Sequence, residues 1–138
     1  MTTVFADAFY WVAVVRPNDP WREAARRARD SLGNVRLLTT DEVLNEFLAA
    51  LSARGEYIRR QAVKMVRGIL ANPNVTVLPQ THVSFLRGLA TYEQRVDKEY
   101  SLTDCISMNA MREKSVTKVL TNDHHFAQEG FEVLIASR

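Results

Sequence analysis

Short runs rich in β-branched residues alternate along this chain with stretches in which apolar side chains recur every three or four positions. The first run, Thr3 to Ala6, predicts a strand, and the apolar segment Ala8 to Val14 after it suits a short helix. A break at Arg16-Pro17-Asn18-Asp19 leads into a helix over Pro20 to Leu32, with proline in the first turn, where its missing N–H is not needed. Gly33-Asn34 turns the chain into Val35-Arg36-Leu37-Leu38-Thr39, whose length and apolar content fit a buried strand. Thr40 or Asp41 caps the next helix, Asp41 to about Arg54, which carries Val43, Phe47, Ala50 and Leu51 at core spacing. Past Gly55, Ile58, Ala62, Met65, Val66 and Ile69 mark a further helix, which Asn72-Pro73-Asn74 stops.

The second half repeats the pattern. Val75 to Leu78 is a strand by its β-branching and ends at Pro79, and Thr81 caps a helix through Phe85, Leu86, Leu89 and Tyr92. A polar connection, Val96 to Tyr100, precedes a helix from Asp104 to Lys114, a strand from Val116 to Leu120, a short turn or helix from His124 to Gln128, and a last strand from Phe131 to Ile135. Such alternation predicts an α/β fold in which helices flank a mostly parallel sheet, with the ligand crevice beyond the carboxyl ends of the strands. No repeat, low-complexity tract or linker interrupts it, and 138 residues suit one domain, 1–138, around one core.

Composition narrows the class without naming a function. With 46% apolar and 25% charged residues the chain is neither a disordered segment nor a disulfide scaffold, and its one cysteine, Cys105, has no partner for an intrachain disulfide. No apolar stretch approaches the roughly 20 residues of a spanning helix, and the start of the chain lacks the basic-then-apolar pattern of a signal peptide. A cytoplasmic protein without a membrane partner is therefore expected. The net charge of +2 is too small to declare a nucleic-acid partner, but the cations are clustered. Arg54, Arg59, Arg60, Lys64 and Arg67 face only Glu56 along one predicted helix, and Arg22, Arg26 and Arg29 share the same periodicity on another. Each cluster is either a solvated face or a set of phosphate contacts.

Acidic residues carry the candidate chemistry. Asp7 ends the first strand, Asp123 follows a late strand, and Glu46 and Asp104 lie on helices that border the same predicted crevice. Carboxylates gathered there raise one another's pKa unless a cation neutralises them, which predicts a bound divalent ion. His82, His124 and His125 show no zinc-ligand spacing, so the expectation is oxygen-only coordination of Mg²⁺ or Mn²⁺. Each acid also has an ordinary alternative: Asp104 as a cap for a helix beginning at Cys105, Asp123 as a turn residue, Glu46 as a solvated helix position. Asp7 is the hardest to explain away, because a carboxylate between a buried strand and Ala8-Phe9-Tyr10-Trp11 faces costly desolvation. His124 and His125 could touch substrate or metal-bound water but read better as surface turn residues, and Trp11 and Trp21 read better as core or interface anchors than as base-stacking platforms.

Four segments together resemble the PIN domain of prokaryotic VapC-type toxins. These are Val4-Phe5-Ala6-Asp7-Ala8-Phe9, Thr39-Thr40-Asp41-Glu42-Val43-Leu44-Asn45-Glu46, Ser101-Leu102-Thr103-Asp104-Cys105-Ile106-Ser107, and Leu120-Thr121-Asn122-Asp123-His124-His125-Phe126. The resemblance spans nearly the whole chain and implies a PIN-like three-layer sandwich whose five-stranded sheet has the order 3-2-1-4-5. It also implies a divalent-metal-dependent endoribonuclease in which Asp7, Glu46, Asp104 and Asp123 hold one or two Mg²⁺ or Mn²⁺ ions, leaving 5′-phosphate and 3′-hydroxyl ends. Thr103, Thr121 and Asn122 would hydrogen-bond around those acids, while Arg54, Arg59, Arg60, Lys64 and Arg67 are cations that could meet RNA, as could Arg112, for which a structural ion pair is the better reading. Implied partners are the RNA substrate, an antitoxin protein and a second copy of the chain. Asp41 and Glu42 are better explained by the helix start they occupy. An inactive PIN-like module that binds RNA or protein is the alternative. Two other Asp-bearing α/β classes fit poorly: a haloacid dehalogenase-like phosphatase needs a second aspartate where Phe9 stands, and a receiver domain needs an acidic pair where Ala6 precedes Asp7.

Overall fold

The central strand, β1 (Thr2–Ala6), has Val4, Phe5 and Ala6 fully buried. Because successive strand residues point to opposite faces, burial of all three means that both faces of the sheet are covered. In the computed structural model, which describes residues 1–136, β1 pairs in parallel with β2 (Val35–Thr40) on one side and β4 (Lys118–Leu120) on the other. β3 (Val75–Leu78) extends the sheet beyond β2 and β5 (Glu132–Val133) beyond β4, so the order is β3-β2-β1-β4-β5, parallel throughout. Both order and direction agree with the expectation from the family resemblance.

Helices α1 (Ala8–Val15), α2 (Arg22–Ser31), α3 (Asp41–Leu51), α4 (Glu56–Ala71), α5 (His82–Gln94), α6 (Leu102–Glu113) and α7 (His125–Gln128) fill the connections. α1 packs on α2, α3 and α4, α5 packs on α6, and α3 also meets α6. Phe47 of α3, Met108 and Met111 of α6 and Phe126 of α7 are fully buried against the sheet's Phe5, Val119 and Leu120 in one core. Each such side chain contributes about 1.5–3 kcal/mol through burial. Among the described residues no helix is long and apolar enough to cross a membrane.

Boundaries differ from the sequence expectation at a few ends. α2 begins at Arg22 rather than Pro20, because Asp19 Oδ1 accepts the Trp21 N–H at 2.8 Å and holds the preceding turn outside the helix. α6 begins at Leu102 rather than Asp104, because Ser101 is the cap. β4 and β5 are shorter than predicted. Past them the strand pairing persists only as separate bonds, from Leu134 N to Val119 O at 3.0 Å and from Ile135 N to Thr121 O at 3.1 Å.

Candidate metal centre

Asp7 follows the last residue of β1 and takes the N-cap position of α1, yet its side chain makes no cap bond there. The carboxylate instead accepts a hydrogen bond from Thr121 Oγ1 at 2.9 Å, across the sheet just past β4. Asp7 and Thr121 are both buried. Burial pushes the Asp7 carboxyl up to about 7 from 3.8, with the Glu46 and Asp104 charges adding to the rise and Thr121 opposing it.

Thr40 ends β2 and caps α3, its hydroxyl accepting the Val43 N–H at 3.0 Å, so strand passes directly into helix and Glu46 stands in the second turn. Glu46 is half-buried, and its pKa is raised by burial and then by Asp104 and Asp123, with the Thr103 hydroxyl working against the rise. Asp104 belongs to a reciprocal capping box at the start of α6. Its N–H donates to Ser101 Oγ at 3.0 Å, and its Oδ2 accepts the Ser101 N–H at 3.1 Å. Asp123 sits in the turn after β4, where its Oδ1 accepts the His125 N–H at 2.9 Å and its own N–H donates to Thr121 Oγ1 at 3.2 Å. Thr121 therefore serves two acids at once.

Asp7, Glu46 and Asp123 line one crevice of about 370 Å³ with Phe9, Val12, Asp19 and Trp21. Asp104 adjoins it through Asp123, since one ligand atom each from Asp104, Asp123 and His125 lie within 4.8 Å of one another. The four acids expected from the sequence thus come together at the carboxyl end of the sheet. Burial, reinforced by the neighbouring acids, raises the proton affinity of Asp7 and Glu46, a cost that protonation or a cation relieves, and an oxygen-rich donor set of this kind fits a divalent ion.

The remaining expected residues divide. Thr121 and Thr103 do engage acids, whereas the Asn122 amide donates to the Ile135 carbonyl and so ties the loop to the chain after β5. Arg59, Arg60, Lys64 and Arg67 are exposed on α4 and line a separate shallow depression with Ser52, Ala53 and Val63. Arg54 is exposed between α3 and α4. Of these, Arg60 pairs with Glu56 at 2.6 Å and Arg59 donates to the Ser52 carbonyl at 2.9 Å. Arg112 is turned instead to Glu129, 2.7 Å away, with its guanidinium over Phe131. That pairing accounts for Arg112 structurally.

Asp19 was not read from the sequence as part of a site, and for Trp21 and His125 a structural role was the favoured reading. Asp19 is held by Arg16 at 3.3 Å and faces the crevice beside Trp21, whose ring meets Phe9 edge-on at 5.4 Å. Trp21 also packs on the core, as expected of an anchor, and Trp11 is buried outright. His125, expected in a surface turn, brings a nitrogen donor to the acids. The available signal was its place two residues after Asp123, where an Asx turn folds the ring back toward the carboxylates.

The parallel order β3-β2-β1-β4-β5, with acids gathered past the ends of β1 and β4, is the architecture of the PIN domain. No protein-family model matches the chain, and no curated protein sequence does. Among solved structures it is similar to VapC20 of Mycobacterium tuberculosis, described as a sarcin-ricin loop cleaving toxin, with 25% identity and a TM-score of 0.82 over 93% of this chain and 95% of that one. It also shares its fold with FitAcB of Neisseria gonorrhoeae, at 16% identity and a TM-score of 0.64 over 95% of this chain and 96% of that one. FitAB bound to an IR36 DNA fragment gives 19% identity and a TM-score of 0.65, covering 94% and 92%. The chain thus has the PIN-domain fold and is similar over nearly its whole length to a VapC-type protein.

Proposed function

We propose that this protein is a divalent-metal-dependent endoribonuclease acting as the toxin of a toxin-antitoxin pair. The observation that carries the reading is the convergence of Asp7, Glu46, Asp104 and Asp123, two of them with raised proton affinity, on one crevice of a fold shared with an RNA-cleaving toxin. Asp7, Asp104, Asp123 and Glu46 are the residues that would hold Mg²⁺ or Mn²⁺. When bound, such an ion polarises the scissile phosphate and activates water.

The chain's own groups do the positioning. Thr121 aims Asp7, Ser101 fixes Asp104, and the turn at Asp123 fixes the third carboxylate. Half-buried Glu46, its pKa raised in the ion-free site by burial and by Asp104 and Asp123, stands on α3 facing those two acids. Water would attack phosphorus and lose a proton to solvent, the P–O3′ bond would break, and the departing oxygen would take a proton from solvent, leaving a 5′-phosphate and a 3′-hydroxyl. Phe9 and Trp21 wall the crevice and offer an apolar surface to a splayed base of single-stranded RNA. The α4 cations attract backbone phosphates without reading sequence.

Partners follow from the same surfaces. An antitoxin segment bearing arginine matches the acidic crevice. Val83, Phe85, Leu86, Leu89 and Tyr92 on α5, each more than 40% exposed, support self-association into a homodimer. The test is cleavage of single-stranded RNA oligonucleotides in Mg²⁺, Mn²⁺ or EDTA by the wild type and an Asp7→Asn, Asp104→Asn double variant. Cutting that needs the ion and disappears in the folded variant supports the nuclease. Undiminished cutting by that variant sinks the assignment, and RNA binding without cutting under every metal points to an inactive module.

A further inference from the structure

The His125 ring stands where a hydrogen-bonding role alone does not account for it. Its Nδ1 lies 3.4 Å from Asp104 Oδ2 and 3.4 Å from Asp123 Oδ1. A charge-assisted hydrogen bond to either carboxylate would close to about 2.7–2.9 Å. Two donors each about 2.1 Å from one ion, at octahedral or tetrahedral angles, are separated by about 3.0–3.4 Å. Both 3.4 Å spacings match those of donors sharing a cation, and the contact with Asp104 is also within the reach of a long hydrogen bond.

The ring is also held from behind. Its face meets Tyr100, with centroids 5.2 Å apart, and Tyr100 is buried with its hydroxyl donating to Glu129 Oε2 at 2.9 Å. Glu129 in turn takes Arg95 Nε at 3.2 Å and Arg112 Nη2 at 2.7 Å, which hold its carboxyl below the usual range. A chain of paired groups thus fixes the wall against which His125 rests. A solvated turn histidine needs no such backing. His124 and His82 are exposed, and His82 stacks on Phe85 away from the three-residue group.

Resting on the nuclease reading of this site, we propose that His125 Nδ1 is a direct ligand of the divalent ion, between Asp104 and Asp123, and that it tilts the site toward Mn²⁺ over Mg²⁺. Magnesium is the harder ion and takes oxygen donors, whereas an imidazole nitrogen favours a transition metal. The acids alone would leave that choice open.

The experiment is electron spin-echo modulation and free-ion titration of Mn²⁺ with the full chain, with Mg²⁺ affinity read by competition. The wild type should show ¹⁴N modulation from one imidazole. His125→Phe, which keeps a ring against Tyr100 but no donor, should lose that modulation and weaken Mn²⁺ binding on the order of 10–100-fold, with Mg²⁺ weakened by about threefold or less. His124→Phe should keep the signal. Wild-type protein that binds Mn²⁺ without nitrogen coupling overturns the proposal while leaving the carboxylate site intact, as does a His125→Phe variant with unchanged Mn²⁺ affinity. A wild type that binds no Mn²⁺, or binding untouched by Asp104→Asn, overturns the metal-site reading itself.

Discussion

Asp7 carries a stability cost that its replacement by asparagine should reveal. Burial raises its carboxyl from 3.8 to about 7, so between those pH values the folded state binds a proton that the unfolded chain has released. Stability therefore falls as pH rises through that window, and the penalty is complete above about pH 7. At about 1.4 kcal/mol per unit, the metal-free protein loses about 2 kcal/mol at pH 5 and about 4 kcal/mol at pH 8. Asp7→Asn removes the ionisable group and keeps an acceptor for Thr121. Its amide must find a partner, at a cost of about 1–3 kcal/mol that does not change with pH. The prediction lies in the difference: from pH 5 to pH 8 in EDTA, the variant should gain about 2–3 kcal/mol on the wild type. Urea denaturation of both proteins at the two pH values measures it. Equal stability differences at both pH values would refute the reasoning, because they would mean that the buried carboxyl titrates normally. At pH 8, Mn²⁺ at a hundredfold excess over its Kd should return about 2.7 kcal/mol to the wild type and less to Asp7→Asn.

Three further outcomes test neighbouring parts of the structure. Thr121→Val removes the hydroxyl donor to Asp7 and should destabilise by about 1–2 kcal/mol; a pH–rate profile of RNA cleavage should shift upward as the Asp7 pKa rises. Gly88→Val should lower thermal stability by about 1–3 kcal/mol, since a Cβ there would sit 2.4 Å from Ile106 Cγ1 where α5 packs on α6, and calorimetry reads the loss. Reversing Arg59, Lys64 and Arg67 to glutamate should leave folding within about 1.5 kcal/mol of wild type and flatten the log–log salt dependence of RNA binding by about 2. An unchanged slope would show that α4 does not track phosphates.

Most of the framework was legible because it rests on local signals. β-Branched runs marked the strands, and Thr40 and Thr81 were identifiable caps whose bonds to Val43 and Ser84 are formed. Local pattern is silent on contacts made across the fold. Arg112 looked like any helical cation, because its partner Glu129 lies seventeen positions on and reaches it only through the packing of α6 on α7. Likewise Asn122 beside Asp123 resembled a partner of the acids, until the chain after β5 offered its amide the Ile135 carbonyl. Asp19 escaped notice because a residue in a proline-flanked break carries no sign of facing a crevice closed by α1 and α3.

The structural explanation of the acids is compatible with the proposed functional one. Asp104 does serve the start of α6, through Ser101, and Asp123 does make a turn, through the His125 N–H. Those bonds fix each carboxylate's direction by local geometry, and Asp7 is fixed by Thr121. Carboxylates free to rotate would swing apart and relax their mutual repulsion. Held in this way they cannot, so their repulsion adds to the burial that chiefly raises the pKa of Asp7 and Glu46. Only a proton or a cation can then relieve it. On the proposed nuclease reading, capping and turn bonds that look like reasons to dismiss these acids are what would preorganise them for an ion.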